Sequence, residues 1–227
     1  MIDKLARKVV AEGLGTAMLL AAVVGSGIMA ERLSGGNVAI ALLANTVATG
    51  AALIALILTF SPISGAHLNP AVTLSFVSQG ELAWRDALAY IAAQFVGAVA
   101  GVATANIMFS LPPIFFSRHQ RSGAAQIFSE FVATFGLVLV IRVCAKLQPR
   151  LVAFAVGAYI TAAYWFTAST SFANPAVTFA RSFSDTFAGI RPGDVPAFIL
   201  AELFGAIAAT LLARWLIPNT VEVSSND

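Results

Sequence analysis

Charge is what this sequence has least of. Of its 227 residues, 11% are Asp, Glu, Lys or Arg, against roughly 25% in an ordinary soluble domain. So few ions cannot cover a globule of this size, which excludes a water-soluble enzyme and a disordered scaffold. The basic residues are scattered at segment ends with no aromatic interleaving, so no nucleic acid is implied. A single cysteine, Cys144, excludes an internal disulfide and a multi-thiolate metal site. Two histidines, His67 and His119, are too few for a metal-centred intramembrane protease, and neither a metal nor another cofactor is expected. What is abundant is apolar: 59% hydrophobic residues and a mean hydropathy of +0.86, arranged in blocks of about 20 residues. The solvent is a lipid bilayer.

Apolar spans fall near 9–30, 38–60, 87–109, 124–145, 151–166 and 195–217. Each is long enough, or nearly so, for the ~20 residues that cross a hydrocarbon core. The fifth is short and is expected to continue outward through Phe166-Thr167-Ala168. The first follows Lys4, Arg7 and Lys8 as a signal peptide would, but it exceeds the ~7–15 apolar residues of a signal core and carries Glu12, so it reads as a retained helix. Gly35-Gly36, Pro112-Pro113 and Gln148-Pro149 break the chain between spans. With the N-terminus inside, Lys4, Arg7, Lys8, Arg85, Arg142, Lys146, Arg150 and Arg214 lie on the inner side, and Arg32, Arg118, Arg121, Arg181 and Arg191 on the outer. The bias is modest and favours a multi-pass cell (inner) membrane protein with both termini cytoplasmic. The expected organisation is one channel domain over 1–217, with repeats of about 1–110 and 120–217, and a polar C-terminal tail over 218–227.

The repeat shows in three landmarks. Ala11-Glu12-Gly13-Leu14-Gly15-Thr16 in the first span is answered by Ser129-Glu130-Phe131-Val132-Ala133-Thr134 in the fourth. Gln94-Phe95-Val96-Gly97-Ala98 in the third is answered by Glu202-Leu203-Phe204-Gly205-Ala206 in the sixth. Asn-Pro-Ala-Val-Thr occurs at 69–73 and again at 174–178. Three spans per half is an odd number, so the halves enter the membrane in opposite directions, an inverted 3+3 repeat.

In each Asn-Pro-Ala segment, asparagine caps a helix and proline occupies its first position, where the missing N–H costs nothing. Helices are predicted from Pro70 to about Ser78 and from Pro175 to about Ser184. Entering from opposite faces, the two short helices bring their N-termini together near mid-membrane, each with roughly half a positive charge from aligned peptide dipoles. The side-chain amides of Asn69 and Asn174 then point their N–H groups into a passage. Irregular backbone at that depth, over 64–68 and 170–173, is tolerable only where it lines a cavity. The product is a narrow, hydrogen-bonding pore with a positive centre, suited to small neutral hydroxylated solutes and hostile to cations.

Over all but its polar tail the chain resembles the major intrinsic protein family, the aquaporins and aquaglyceroporins; Ser64-Gly65-Ala66-His67-Leu68-Asn69-Pro70-Ala71-Val72-Thr73 is among that family's most specific strings. The resemblance implies an all-α bundle of six transmembrane helices plus two re-entrant half-helices, one pore per subunit and a homotetramer. It makes Asn69, Pro70, Ala71, Asn174, Pro175 and Ala176 the pore motifs. It also implies a narrower ring of four residues outside them: Thr49, Ala162, Ser171 and, after the second motif, Val177 where arginine is usual. Such a ring has neither the aromatic and histidine of water-selective members nor the two aromatics and arginine of glycerol channels, so it is expected to be wider and less polar than both. The stretch from Thr170 to Arg181 resembles bacterial members linked to arsenic resistance. That branch implies a passive channel for glycerol-like solutes and for arsenite or methylated arsenicals.

Several residues carry two readings. Glu12 and Glu130, at matching repeat positions, suit a proton relay or a brace for the irregular backbone; symmetry and the family resemblance favour the brace, and Gln94 and Glu202 extend it. Gly97 and Gly101 form a small-xxx-small helix contact. His67 fixes the loop beside Asn69. Arg118, His119 and Arg121 read as a solvated loop able to concentrate anions at the outer mouth. Arg181 lies about one helical turn beyond Val177, where it serves a wet outer vestibule or pairs with Asp185. As whole-protein alternatives there are a water-selective aquaporin, an ion-coupled secondary transporter, for which no coupling-ion cluster is evident, and a purely structural membrane protein.

Overall fold

The computed structural model describes residues 4–217, so the polar tail at 218–227 lies outside the described residues. Those residues form helices and no strand. Five long helices, α1 (Lys4–Leu33), α2 (Val38–Ser64), α4 (Trp84–Met108), α5 (Ala124–Leu147) and α8 (Val195–Leu216), are apolar enough to cross a bilayer, α8 together with the turn before it. The sixth crossing is α6 (Val152–Phe166), and the two half-helices are α3 (Pro70–Ser78) and α7 (Pro175–Arg181). With six crossings, the start of α1 and the end of α8 fall on one face, here termed the terminal face. The opposite face carries the loops around 109–123 and 182–194.

Two boundaries differ from expectation. The α6 helix stops at Phe166 instead of continuing, because Thr167 is extended and its Oγ1 and N–H both donate to the Ala163 carbonyl, at 2.6 and 3.2 Å. A side chain that takes a helical carbonyl competes with the next helical N–H. The missing length is supplied at the other end by the 3₁₀ turn Pro149–Leu151. Likewise α7 ends at Arg181, short of the expected Ser184. The carbonyls of Ser182 and Phe183 accept instead from the N–H groups of Ser117 (2.9 Å) and Phe115 (3.1 Å), tying the far-face loop over the end of the half-helix.

Helix α1 packs against α4, and α5 against α8, with backbones in close approach. A Cβ on Gly97 would lie 2.1 Å from the Gly13 carbonyl oxygen, and one on Gly101 2.2 Å from that of Ala17. The symmetry mate Gly205 stands in the same relation to Phe131, at 2.5 Å. In lipid no hydrophobic force holds helices together, so this close packing is the attraction itself. Gly101→Val therefore has to push two helices apart, an overpacking cost of at least about 1–3 kcal/mol. We expect a lower yield of monodisperse protein in detergent and a lower Tm; a wild-type Tm would show that the contact yields freely.

Candidate functional site

The two loops that enter the half-helices share one backbone conformation. Counted from the asparagines, Gly65 matches Thr170 (φ 93° and 64°), Ala66 matches Ser171 (49° and 51°), and Leu68 matches Ala173 (both 49°). Five of these six are not glycine, and left-handed backbone costs them of order 1 kcal/mol or more each. The neighbouring carboxylates compensate. Glu12 accepts from the His67 and Leu68 N–H groups at 2.9 and 2.7 Å, from Ser64 Oγ at 2.6 Å and from Gln94 Nε2 at 2.8 Å. Glu130 accepts from the matching Phe172 and Ala173 N–H groups at 2.9 and 2.8 Å. Gln94 also donates to Thr73 Oγ1 at 3.0 Å, and its counterpart Glu202 accepts from Thr178 Oγ1 at 2.5 Å. Each half-helix is thus tied to two crossing helices through buried polar groups. His67 joins the first set through Nδ1 to Thr73 Oγ1 (3.2 Å), with its ring against Phe76 and Tyr90.

At the meeting point, Asn69 Oδ1 accepts from Ala71 N–H (2.8 Å), and Asn174 Oδ1 from Ala176 and Val177 N–H (3.0 and 3.3 Å), with Pro70 and Pro175 opening the helices. The side-chain amides are not wholly free, as the sequence suggested. Asn69 Nδ2 donates to the Ala173 carbonyl (2.7 Å) and Asn174 Nδ2 to that of Leu68 (2.8 Å), a reciprocal pair that locks the half-helices together. Each amide keeps one further hydrogen, and both asparagines line the cavity beside them. Ala71 and Ala176 are fully buried, so a larger residue at either position would separate the junction.

The cavity runs past this junction with a volume of about 70 Å³. At roughly 15 Å³ per water that holds a file of about five molecules. Its walls are helix faces with a period of four: Thr49, Leu53 and Ile57 on α2, Val156, Ile160 and Tyr164 on α6, and Leu137 and Ile141 on α5. This periodicity sets which of the expected ring residues face the cavity. Thr49, Ser171 and Val177 all line the cavity, whereas Ala162 does not. Two residues from both Ile160 and Tyr164, it falls on the opposite side of α6 and is exposed. Tyr164 takes its place, with its hydroxyl 3.4 Å from Thr49 Oγ1.

Nor is this end of the cavity free of aromatic rings and charge, since Tyr164, Phe172 and Arg181 line it as well. Arg181 is not in a wet vestibule: it is 2% exposed. Its Nε donates to the Ala188 carbonyl, and its guanidinium lies 3.4 Å from the centre of the Phe172 ring. Helical side chains lean toward the N-terminus of their helix, so an arginine one turn beyond the ring brings its guanidinium back to it. Asp185, the expected partner, is taken by Arg118, whose N–H and Nε bond its carboxylate at 2.8 and 3.0 Å and hold that carboxyl below its usual range.

Arg121, expected in a solvated loop, is buried. It donates from Nε to the Gly189 carbonyl (2.8 Å) and from Nη1 and Nη2 to those of Ser169 and Phe187 (3.1 and 3.3 Å), while its own N–H is taken by Asp194 (2.9 Å). Burial pulls its guanidinium down to about 10, still charged at neutral pH. Beside it, burial and then the Arg121 charge lower His119 from its ordinary imidazole value. Nothing local in the sequence separates Arg121 from Arg118; the distinction lies in carbonyls some 48–68 residues away.

Cys144, half-buried on α5, is not among the cavity residues. A mercurial is therefore expected to leave flux through the wild type unchanged, and Ser171→Cys to confer block reversible by thiol. Strong block of a Cys144→Ser variant would contradict this.

Two braced half-helices meeting inside a six-crossing bundle, around a narrow cavity, define a membrane channel of the inverted-repeat kind. The model of the major intrinsic protein family matches residues 2–151, and the chain belongs to that family. It is 57% identical over 213 residues to aquaglyceroporin AqpS of Rhizobium meliloti (strain 1021), covering 94% of this chain and 91% of that protein. It is 32% identical over 210 residues to aquaporin NIP1-3 of Oryza sativa subsp. japonica, covering 89% and 71%. The X-ray structure of the aquaglyceroporin from Plasmodium falciparum superimposes with a TM-score of 0.67 at 23% identity, over 93% of this chain and 95% of that one, a likeness of fold.

Proposed function

We propose that the chain forms a passive channel for small uncharged hydroxylated solutes of the glycerol class and for water, with arsenite and uncharged methylated arsenicals of similar size among its permeants. One observation carries this reading: the two asparagine amides, each tied to the opposite loop, line a cavity whose walls combine a few polar groups with apolar side chains. A solute with several hydroxyls can trade its hydration for these polar groups while its carbon face slides on Leu53, Ile57, Val156 and Ile160. The similarity to a protein named an aquaglyceroporin supports the solute class. In this reading Thr49, Tyr164, Ser171 and Val177 select, and residues 1–217 act as one channel domain built from the two repeats. The assembly is a homotetramer in the inner membrane, its terminal face cytoplasmic because that face carries more Lys and Arg.

Swelling of proteoliposomes with water, glycerol, arsenite and methylarsenate tests it. Saturation-free uptake of glycerol and arsenite without any ion gradient is expected. Water flux alone would make the protein a water-selective pore, and gradient dependence would make it a coupled transporter.

A further inference from the structure

We propose that Arg181 Nη1 and Ser171 Oγ form an oxyanion subsite at the outer end of the pore, which holds a small monoanionic oxyacid in competition with neutral permeants. The inference rests on the channel reading above for its flux readout, but not for the site itself. Both atoms are buried and both lack a hydrogen-bond partner among the described residues. Both residues line the same cavity. The remaining contacts of Arg181 hold its plane in place: Nε is spent on Ala188, and one face rests on Phe172.

No described carboxylate comes within ion-pairing distance of this charge; Glu130 and Glu202 favour it only from further off. The ion pairs among the described residues are Arg118–Asp185, Arg142–Glu81 and Arg191–Asp194. A second guanidinium, that of Arg121, lies over the same Phe172 ring at 5.0 Å, with its own N–H groups turned to backbone carbonyls. Two buried cations on one ring are mutually repulsive, and a buried charge with no counter-ion in contact is unfavourable. An anion seated at Nη1 relieves both conditions.

The donor set describes the ligand. A guanidinium N–H and a hydroxyl, both unpartnered and on residues lining one narrow cavity, suit two acceptor oxygens on a single centre, with the negative charge spread over them. The cavity admits only a few heavy atoms, which leaves small carboxylates and methyl-substituted tetrahedral oxyacids. Deeper in, the asparagine amides meet only part of such an ion's hydration, and the apolar walls at Leu53, Ile57, Val156 and Ile160 replace none of the rest. It therefore occupies the outer subsite rather than crossing, and flux of neutral solutes falls.

Methanesulfonate, a tetrahedral monoanion, and dimethyl sulfone, its uncharged counterpart of similar shape, are the probes. Glycerol-driven swelling is measured against each, at matched osmolarity, and inhibition is expressed relative to each variant's own flux. Methanesulfonate is expected to inhibit the wild type saturably and dimethyl sulfone not to. Arg181→Gln should weaken that inhibition more than about tenfold, as loss of a charged hydrogen bond implies; Ser171→Ala should weaken it several-fold, and Arg181→Lys should retain part of it. A second readout is the Tm of the purified protein, which methanesulfonate should raise in the wild type and not in Arg181→Gln. Equal effects of the two probes, or undiminished inhibition and Tm shift in both Arg181→Gln and Ser171→Ala, would overturn the subsite. A wild type that passes no glycerol overturns the channel reading alone, and the Tm shift then still decides the subsite.

Discussion

Val177→Arg is expected to reduce glycerol flux by more than tenfold while water flux falls much less. Val177 lines the cavity at the first turn of α7, and its N–H is held by Asn174 Oδ1 at 3.3 Å, so its side chain cannot swing away with the backbone. Arginine there places a planar guanidinium with five donors in a space of about 70 Å³ that the Arg181 guanidinium already borders. A solute with three carbons must then pass two cations, one of them directly in its path. Each tenfold loss in rate corresponds to about 1.4 kcal/mol of barrier, a small demand for a steric obstruction of this kind. Stopped-flow swelling with glycerol and with an impermeant osmolyte separates the two fluxes. Undiminished glycerol flux in a correctly assembled variant would remove position 177 from the constriction.

The second large effect concerns assembly rather than flux. Glu12→Leu leaves the His67 and Leu68 N–H groups and the Ser64 hydroxyl without their acceptor, and the Gln94 amide with Thr73 Oγ1 alone. Buried donors left unsatisfied cost roughly 1–3 kcal/mol each, so the sum is a large part of the ~5–15 kcal/mol that holds a typical fold. We expect no monodisperse protein from Glu12→Leu. Glu12→Gln should be intermediate, because it keeps one acceptor oxygen but turns an N–H toward the backbone donors. Glu130→Leu strands the Phe172 and Ala173 N–H groups and should be less severe than Glu12→Leu. Size-exclusion profiles and Tm in detergent order the three. A Glu12→Leu protein that elutes and melts like the wild type would show that the left-handed loop residues hold their shape without the carboxylate.

These two predictions differ in how early their residues could be read. Glu12 and Glu130 stand out in the sequence, since an acid in an apolar span is conspicuous and these two occupy matching places in the repeat. The first half-helix was legible to its ends, because asparagine as cap, proline at the first position and Gly80 after the stop are all local signals. The cavity lining was legible in part. Thr49, Ser171 and Val177 reach the cavity, but a two-residue error on α6 puts Ala162 on the far side of the helix and leaves Tyr164 unnoticed. In an almost wholly apolar helix, no alternation of polar and apolar residues marks the face that turns inward.

The sequence by itself determined the solvent, the crossings, the inverted repeat and the Asn-Pro-Ala caps. All of these follow from composition or from interactions within a few residues. Only the tertiary structure decided where the long side chains go. The early end of α7 depends on carbonyls recruited by Ser117 and Phe115, and Asp185 is claimed by Arg118 instead of Arg181. Arg121 is drawn inward by carbonyls of two other loops, and Arg181 folds back over Phe172 into the pore. An arginine spans more than a helical turn and donates in several directions. Its position is therefore set by acceptors that the chain brings near only when both halves have closed on each other.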